Sequence, residues 1–253
     1  MIEAVIKSPT LFKNIIDAVK DIITDGPFYF LENSVCLKAM NQSQVALALL
    51  NFDPEFFATY QCDRPIIVGI NLLGLYKIFK CTKAEDSCTI RYLDDSEFVE
   101  FIFESKTGRH QQASLKIINR NYEDLIIPDQ IYSSLIDMPS MEFQKICRDI
   151  ASFSDTLTLE ITNSKVFFKA TGHFATYKIT YERENCNSDD ENSVKIIFNE
   201  NVSTQFAIKY LIILTKAAAI SNRICISISD NLPMLIQYKV LNALFIYYLA
   251  PII

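Results

Sequence analysis

The chain has 253 residues, of which half are apolar, and a formal net charge of −6. This length and apolar content are enough for one large domain or two smaller ones, and they exclude a disordered tail. The negative net charge excludes the uniformly basic surface of a simple nucleic-acid-binding protein, but it leaves room for a local basic patch.

Four segments have the 3.6-residue apolar period of amphipathic helices. The period predicts helices at 9–22, 71–80, 140–153 and 206–217. Period-2 alternation, which half-buried strands require, is clearest in TLTLEI, TYKITY and ICISIS in the second half of the chain. Because several strands follow each helix, the pattern favours an α+β fold of antiparallel sheets with the helices on one face.

The sequence contains an internal repeat. At an offset of 131, residues 10–19 match residues 141–150, and at an offset of 136, residues 69–80 match residues 205–216. The two halves therefore have the same order of helices and strands. The offset changes across an acidic, polar stretch, 183–193, which we expect to be a lengthened surface loop.

The repeat predicts two tandem domains of similar fold, at 1–116 and 135–253. Between them, residues 117–134 have no strong helix or strand period and contain Pro128. This segment is therefore predicted to be the connector between the domains.

Basic side chains recur on the predicted helices. Each helix has two of them, three or seven residues apart, and this spacing places both within about 60° of each other around the helix. With eight basic and four acidic residues the helices carry +4, so the rest of the chain carries −10. Such faces suit the regular phosphates of duplex DNA, bound without regard to sequence, although four ordinary solvated faces are the alternative. The candidate DNA-binding residues are Lys13, Lys20, Lys77, Lys80, Lys145, Arg148, Lys209 and Lys216.

Cofactor, metal and membrane sites find little support in the sequence. Seven cysteines occur without a CxxC pair, and the five glycines form no phosphate-binding loop, so we expect no zinc site, disulfide framework or cofactor. The N-terminal residues lack the pattern of a secretory signal. The longest uncharged apolar stretch near the C-terminus, 241–253, is too short to cross a bilayer, so no membrane partner is expected.

Three stretches are distinctive in their length and spacing: TYQCDRPIIVGINL at 59–72, MPSMEFQKICRDI at 138–150 and YYLAPII at 247–253. Together with the repeat, they resemble the proliferating cell nuclear antigen family of eukaryotic sliding clamps along essentially the whole chain. The resemblance implies a DNA-clamp fold that assembles into a closed homotrimeric ring around double-stranded DNA. It also implies a nuclear processivity factor that docks DNA polymerases, the clamp loader and other replication and repair proteins through short clamp-binding peptides.

The resemblance further implies two kinds of contact site that the residue patterns alone do not select. Ring closure would use strands at 108–116 and 173–181, because an exposed strand edge can pair with a strand of another subunit. Partner peptides would bind in an apolar groove beneath the connector, which suits an aromatic side chain from a short helical peptide. The implied groove residues are Met40, Gln44, Val45, Leu47, Leu125, Ile127, Pro128, Gln130, Pro233, Tyr248, Leu249, Ala250, Pro251 and Ile253.

Two other functions are less well supported by the sequence. A subunit of a heterotrimeric checkpoint clamp would share the fold, but such subunits diverge in the three stretches quoted above. A metal-dependent DNA-processing enzyme would need clustered carboxylates, and the pairs at 94–95 and 189–190 are more typical of turns. His110 and His173 lie far apart without a nucleophile motif. We therefore expect no enzyme, no catalytic residue and no metal site.

Overall fold

The computed structural model describes residues 1–122, 125–128, 130–182 and 193–252, which form two compact units. The stretch predicted to be a lengthened acidic loop lies, except for its last residue, outside the described residues. The first unit consists of Met1–Gln42, Ala48–Ile126 and Val240–Phe245, and the second of Ser43–Leu47, Ile127–Lys239 and Ile246–Ile253. The units are therefore not two contiguous halves of the chain.

The first unit holds the strands β1 to β9, of which β4 begins in the second unit, and the α-helices α1 and α2. One antiparallel sheet has the strand order β5-β1-β7-β8-β9, and the other strands follow the order β4-β3-β2-β6. The elements are β1 (Ile2–Ile6), α1 (Pro9–Val19), β2 (Asp25–Leu31), β3 (Ser34–Met40), β4 (Ala46–Phe52), β5 (Phe57–Cys62), β6 (Ile66–Asn71), α2 (Leu72–Lys80), β7 (Ser87–Tyr92), β8 (Phe98–Glu104) and β9 (His110–Lys116).

The second unit repeats this order of elements. Its strands follow the orders β14-β10-β16-β17-β18 and β13-β12-β11-β15, which match those of the first unit strand for strand. The elements are β10 (Ser134–Pro139), α3 (Ser140–Ala151), β11 (Thr156–Ile161), β12 (Lys165–Thr171), β13 (Thr176–Glu182), β14 (Lys195–Phe198), β15 (Val202–Ala207), α4 (Ile208–Leu214), β16 (Arg223–Ile228), β17 (Met234–Val240) and β18 (Ala243–Leu249). The predicted α+β fold of two similar domains with antiparallel sheets is confirmed.

The repeat continues beyond the last strand of each copy. After β9, the amide of Ile118 donates to the carbonyl of Gly69 on β6 at 2.9 Å. After β18, the amide of Ile252 donates to the carbonyl of Gln205 on β15 at 2.8 Å, and Gln205 is the repeat equivalent of Gly69. A side chain at Gly69 would collide with Tyr122, since an added Cβ would lie 2.2 Å from the Tyr122 hydroxyl oxygen. Each copy thus uses the segment after its last strand to cover a sheet edge.

The apolar faces of the helices build the core of each unit. In the first unit the rings of Phe12 on α1 and Phe79 on α2 lie 4.8 Å apart, and Phe79 meets Phe101 of β8 edge-on at 5.7 Å. In the second unit Phe143 on α3 lies 6.2 Å from Phe168 on β12. All five rings are almost fully buried, and burying each contributes about 2–3 kcal/mol.

The hydroxyl of Tyr238 on β17 is fully buried and finds no hydrogen-bond partner among the described residues. An unpaired buried hydroxyl costs about 1–3 kcal/mol. We therefore expect Tyr238→Phe, which keeps the ring, to raise the free energy of unfolding by about 1 kcal/mol in chemical denaturation. The control is Tyr60→Phe, which removes a hydroxyl that donates to the carbonyl of Leu31 at 2.6 Å and should destabilise the chain. A loss of stability in Tyr238→Phe equal to that of the control would contradict the assignment.

Candidate nucleic-acid and peptide interfaces

Helix α1 buries its apolar stripe and leaves Lys13 half-exposed. The helix starts at Pro9, where the side chain of Ser8 accepts a hydrogen bond from the amide of Leu11 at 3.3 Å. It ends at Val19, three residues earlier than the sequence predicted. The predicted helix was too long because Ile22 and Ile23 preserve the apolar period, yet their amides both donate to the carbonyl of Val19 in a turn that buries them.

Lys20, just past α1, lies in a small network of its own. Its ammonium is 2.9 Å from a carboxylate oxygen of Asp17 and 3.1 Å from one of Asp21, and it lies 4.9 Å from the ring centre of Tyr76. Burial of the ammonium lowers the pKa of Lys20, but the hydrogen bonds to Asp17 and Asp21 outweigh it, so the pKa is raised overall. Its positive charge is therefore kept but compensated locally. The sequence analysis included Lys20 among the candidate DNA-binding residues, but it did not predict that neighbouring carboxylates compensate its charge.

Helix α2 presents Lys77 and Lys80 on its exposed side, while Leu75 and Phe79 are buried. Both lysines lie in the last turn, where the helix dipole favours positive charge. The start of the helix is fixed by Asn71, whose Oδ1 accepts from the amide of Gly74 at 2.7 Å. The position of the two lysines thus depends on this cap as well as on the apolar stripe.

In the second unit, α3 places Lys145 and Arg148 on one exposed face. Lys209 is exposed on α4, with its ammonium 4.9 Å from the ring centre of Tyr210. Lys216 is exposed on a 3-10 turn, Thr215–Ala219, that continues α4, where the sequence predicted α-helix. The hydroxyl of Thr215 donates to the carbonyl of Ile212 at 2.9 Å, in competition with regular helix bonding.

The basic residues of each unit therefore lie on or beside its helix pair. The two helical elements of each pair are in contact: α1 packs on α2, and Gln144 on α3 donates to the carbonyl of Thr215 at 2.8 Å. Six of the eight basic side chains are exposed, whereas Lys13 and Lys20 are half-buried. Each unit has its own basic helix face made of four of these residues.

Most of the implied groove residues belong to the second unit, where two segments distant in sequence are joined. The amide of Ala250 donates to the carbonyl of Val45 at 2.9 Å, which places the C-terminal segment beside residues 43–47. Gln44 is exposed and has a positive φ of 57°. Leu47 and Leu249 are buried, so they support the surface from below.

The connector residues of the groove differ in exposure. Ile127 and Gln130 are half-buried and Pro128 is exposed, and they lie in the second unit. Met40 and Leu125 belong to the first unit, where Met40 is exposed at the end of β3 and Leu125 is half-buried. The implied groove residue Ile253 lies outside the described residues.

The side chain of Tyr132 lies close to three other residues of the second unit. Its hydroxyl lies 3.0 Å from Oε1 of Gln130 and 3.0 Å from the carbonyl oxygen of Pro233. Burial raises the pKa of Tyr132 to about 12, and the neighbouring Tyr248 adds to this effect. The sequence analysis missed Tyr132, although an aromatic residue within the polar end of the connector was a weak signal.

Neither a metal cluster nor a membrane-spanning helix occurs in the described part of the chain. It contains no group of three or more His, Cys, Asp or Glu side chains that could hold a metal ion. None of its helices has the length and apolar character needed to span a bilayer.

Comparison with known proteins identifies the family. The family model for the N-terminal domain of proliferating cell nuclear antigen matches residues 1–124, and the model for its C-terminal domain matches residues 126–253. The chain belongs to the proliferating cell nuclear antigen family. The sequence-based recognition of this family of DNA sliding clamps, which act in DNA replication, is therefore confirmed.

Two members of the family show how far the similarity extends. The chain is 34% identical over 254 residues to the proliferating cell nuclear antigen of Caenorhabditis elegans, with 99% of this chain and 97% of the relative covered. It is also 34% identical over 254 residues to that of Chaetomium thermophilum, with 99% and 98% covered. The similarity thus extends over both units and the connector.

The cap of α2 gives a direct test of how the clamp chain positions Lys77 and Lys80. Asn71→Ala removes the acceptor for the amide of Gly74, so we expect the free energy of unfolding to fall by about 1 kcal/mol. Asn71→Ser keeps a capping oxygen and should restore most of this loss. Chemical denaturation measures both, and equal stability of Asn71→Ala and wild type would show that the cap does not hold the helix.

Proposed function

We propose that three copies of the chain close into a ring around duplex DNA. In the nucleus this ring is the processivity factor of replication and a docking platform for DNA polymerases, the clamp loader and repair proteins, and it is not an enzyme. The observation that carries the proposal is the placement of basic residues on the helix pair of each unit, on the side opposite the buried apolar stripe. The predicted domain bounds, 1–116 and 135–253 with a connector at 117–134, belong to the same proposal.

Phosphate contact explains how such a ring holds DNA and still slides. The exposed Lys77, Lys80, Lys145, Arg148 and Lys209 offer flexible cations, which suit contact with phosphates rather than the reading of base edges. Their attraction to the backbone is independent of sequence and weakens with salt. A closed ring needs only weak contacts of this kind, because closure itself keeps the ring on the DNA.

Strand edges support the proposed closure. Among the described residues, β9 pairs only with β8 and β13 pairs only with β12, so each strand has an open edge. An open edge is a template for a strand of another chain. Half-buried side chains face the core side of each edge, with Ala113 and Leu115 on β9 and Tyr177 and Ile179 on β13. Pairing of β9 with β13 of the next copy would bury these side chains.

The groove residues support the proposed docking of partner peptides. Val45, Tyr248, Ala250 and Pro251 lie half-buried around the hydrogen bond between Ala250 and Val45, and Pro128 is exposed on the connector. Aliphatic and proline side chains of this kind can pack around an aromatic side chain of a bound peptide. Backbone groups of the groove can then form hydrogen bonds with the peptide.

Charge reversal at Lys77→Glu and Lys80→Glu tests the DNA-facing assignment. Two lost phosphate contacts should lower polymerase stimulation on primed circular DNA about tenfold at moderate salt, because each contact contributes to a steep salt dependence. Light scattering should still report a trimer.

The matched control for this prediction reverses two exposed lysines that lie on strands. Lys195→Glu and Lys239→Glu change the net charge equally, but these two lysines lie on β14 and β17 rather than on the helical elements. They should leave stimulation near the wild-type level. If both double variants lost polymerase stimulation equally, the loss would follow from net charge alone. That result would contradict a specific DNA-facing surface.

Ile179→Asp tests ring closure. Ile179 is half-buried at the open edge of β13, and a carboxylate there would be desolvated in the paired edge, so we expect light scattering to shift from trimer to monomer. The control, Thr180→Asp, places the same charge on the exposed face of the same strand and should stay trimeric. A trimer that survives Ile179→Asp with its circular dichroism unchanged would contradict closure through β13.

A further inference from the structure

Tyr181 on β13 is joined to the first turn of α3. Its hydroxyl donates to Oε1 of Glu142 at 2.5 Å, and both side chains are half-buried. Its ring meets Phe168 of β12 edge-on at 6.0 Å, and Phe168 in turn lies 6.2 Å from Phe143 of α3. A tyrosine on the strand with the open edge therefore fixes an acidic side chain of the helix that carries Lys145.

Glu142 has a second candidate partner on its own helix. Lys145 follows it by three residues, so the two side chains lie within about 60° of each other around α3. Opposite charges at this spacing attract each other on a helix surface. In the structure, however, the ion pairs described in the second unit join other residues, and Lys145 is exposed and takes part in none of them. Glu142 thus binds the tyrosine of a neighbouring strand instead of the lysine on its own helix.

The two partners of Glu142 differ in physical character. A hydroxyl that donates to a carboxylate forms a strong, charge-assisted hydrogen bond. An ion pair between exposed side chains is weaker, because water and salt screen it. Since Phe168 already packs against the Tyr181 ring, the hydroxyl also needs little ordering to reach Glu142. The bond to the tyrosine is therefore favoured, and Lys145 keeps its charge for other partners.

We propose that Tyr181 is a positioning residue for DNA contact: it binds Glu142 and thereby keeps the positive charge of Lys145 available to a phosphate. This inference rests on the proposed DNA-facing surface and deepens it, since it gives a residue outside the helices a part in the charge of the helix face. Without the Tyr181 hydroxyl, Glu142 pairs with Lys145 and lowers the net charge that α3 presents to DNA. The ligand is the phosphate backbone of duplex DNA, which Lys145 contacts and Tyr181 does not.

The chemical reactivity of the Lys145 amine tests this role and needs no DNA. The whole clamp is acetylated briefly with acetic anhydride, and mass spectrometry gives the rate at Lys145 relative to the rate at Lys77. A neighbouring carboxylate favours the charged form of an amine, which does not react. We expect Tyr181→Phe, which keeps the ring, to slow labelling of Lys145 about twofold, the effect of one helix ion pair. When Tyr181→Phe is combined with Glu142→Gln, labelling should return to the rate found in Glu142→Gln alone.

Tyr177→Phe is the matched control. It removes a hydroxyl from the same strand and the same half-buried face, but from a ring that stacks on Phe153 at 4.7 Å. Labelling of Lys145 in this variant should match wild type. Polymerase stimulation on primed circular DNA should fall about twofold in Tyr181→Phe and recover when Glu142→Gln is added, because one phosphate contact is weakened and then restored. Light scattering should report a trimer for each variant.

Three other outcomes would contradict this role. Unchanged labelling of Lys145 in Tyr181→Phe would overturn it. Slower labelling that Glu142→Gln does not reverse would also overturn it, because Tyr181 would then act only through the packing of β13 on α3. If labelling slows and recovers as expected while polymerase stimulation stays at the wild-type level in every variant, Lys145 contacts no phosphate. In that case the DNA-facing assignment of Lys145 fails, although the bond between Tyr181 and Glu142 controls its charge.

Discussion

Each helix of this clamp has one apolar stripe to bury, and that requirement decides where its charges lie. Phe12 and Phe79 meet in the core of the first unit, and Phe143 reaches Phe168 in the second. Because these rings are buried, the basic side chains of the helices, such as Lys77 and Lys80, lie on the opposite, outer side. The acidic remainder of the chain makes this separation of charge stronger. A packing constraint thus produces an electrostatic surface.

The internal repeat gives both units the same arrangement of buried apolar stripes and exposed basic side chains. The two units share their strand orders, and even the covering of a sheet edge recurs, at Gly69 by the segment after β9 and at Gln205 by the segment after β18. The two covering segments have different additional roles in our account. One leads into the connector, and in the other the amide of Ala250 donates to the carbonyl of Val45.

The sequence predicted those features that depend on local pattern. The bounds of α2 were predicted to within one residue, because its apolar stripe spans nearly the whole helix. The apolar period predicted too late an end for α1. Ile22 and Ile23 continue the period, but they lie in a buried turn after the helix. It also could not reveal that residues 43–47 belong with the second unit, or that Tyr132 meets Pro233, since both depend on contacts between segments far apart in sequence. The ring-closing strands came from family resemblance and remain a prediction.

The central claim is that weak, sequence-independent contacts suffice because the ring is closed. The most direct measurement compares retention of the loaded clamp on nicked circular DNA with retention after the same DNA is cut once. Our account predicts that the clamp stays on the circular DNA at salt concentrations that screen its lysines. After the DNA is cut, the clamp should slide off the free end. Equal retention on circular and linear DNA, falling together as salt rises, would contradict it.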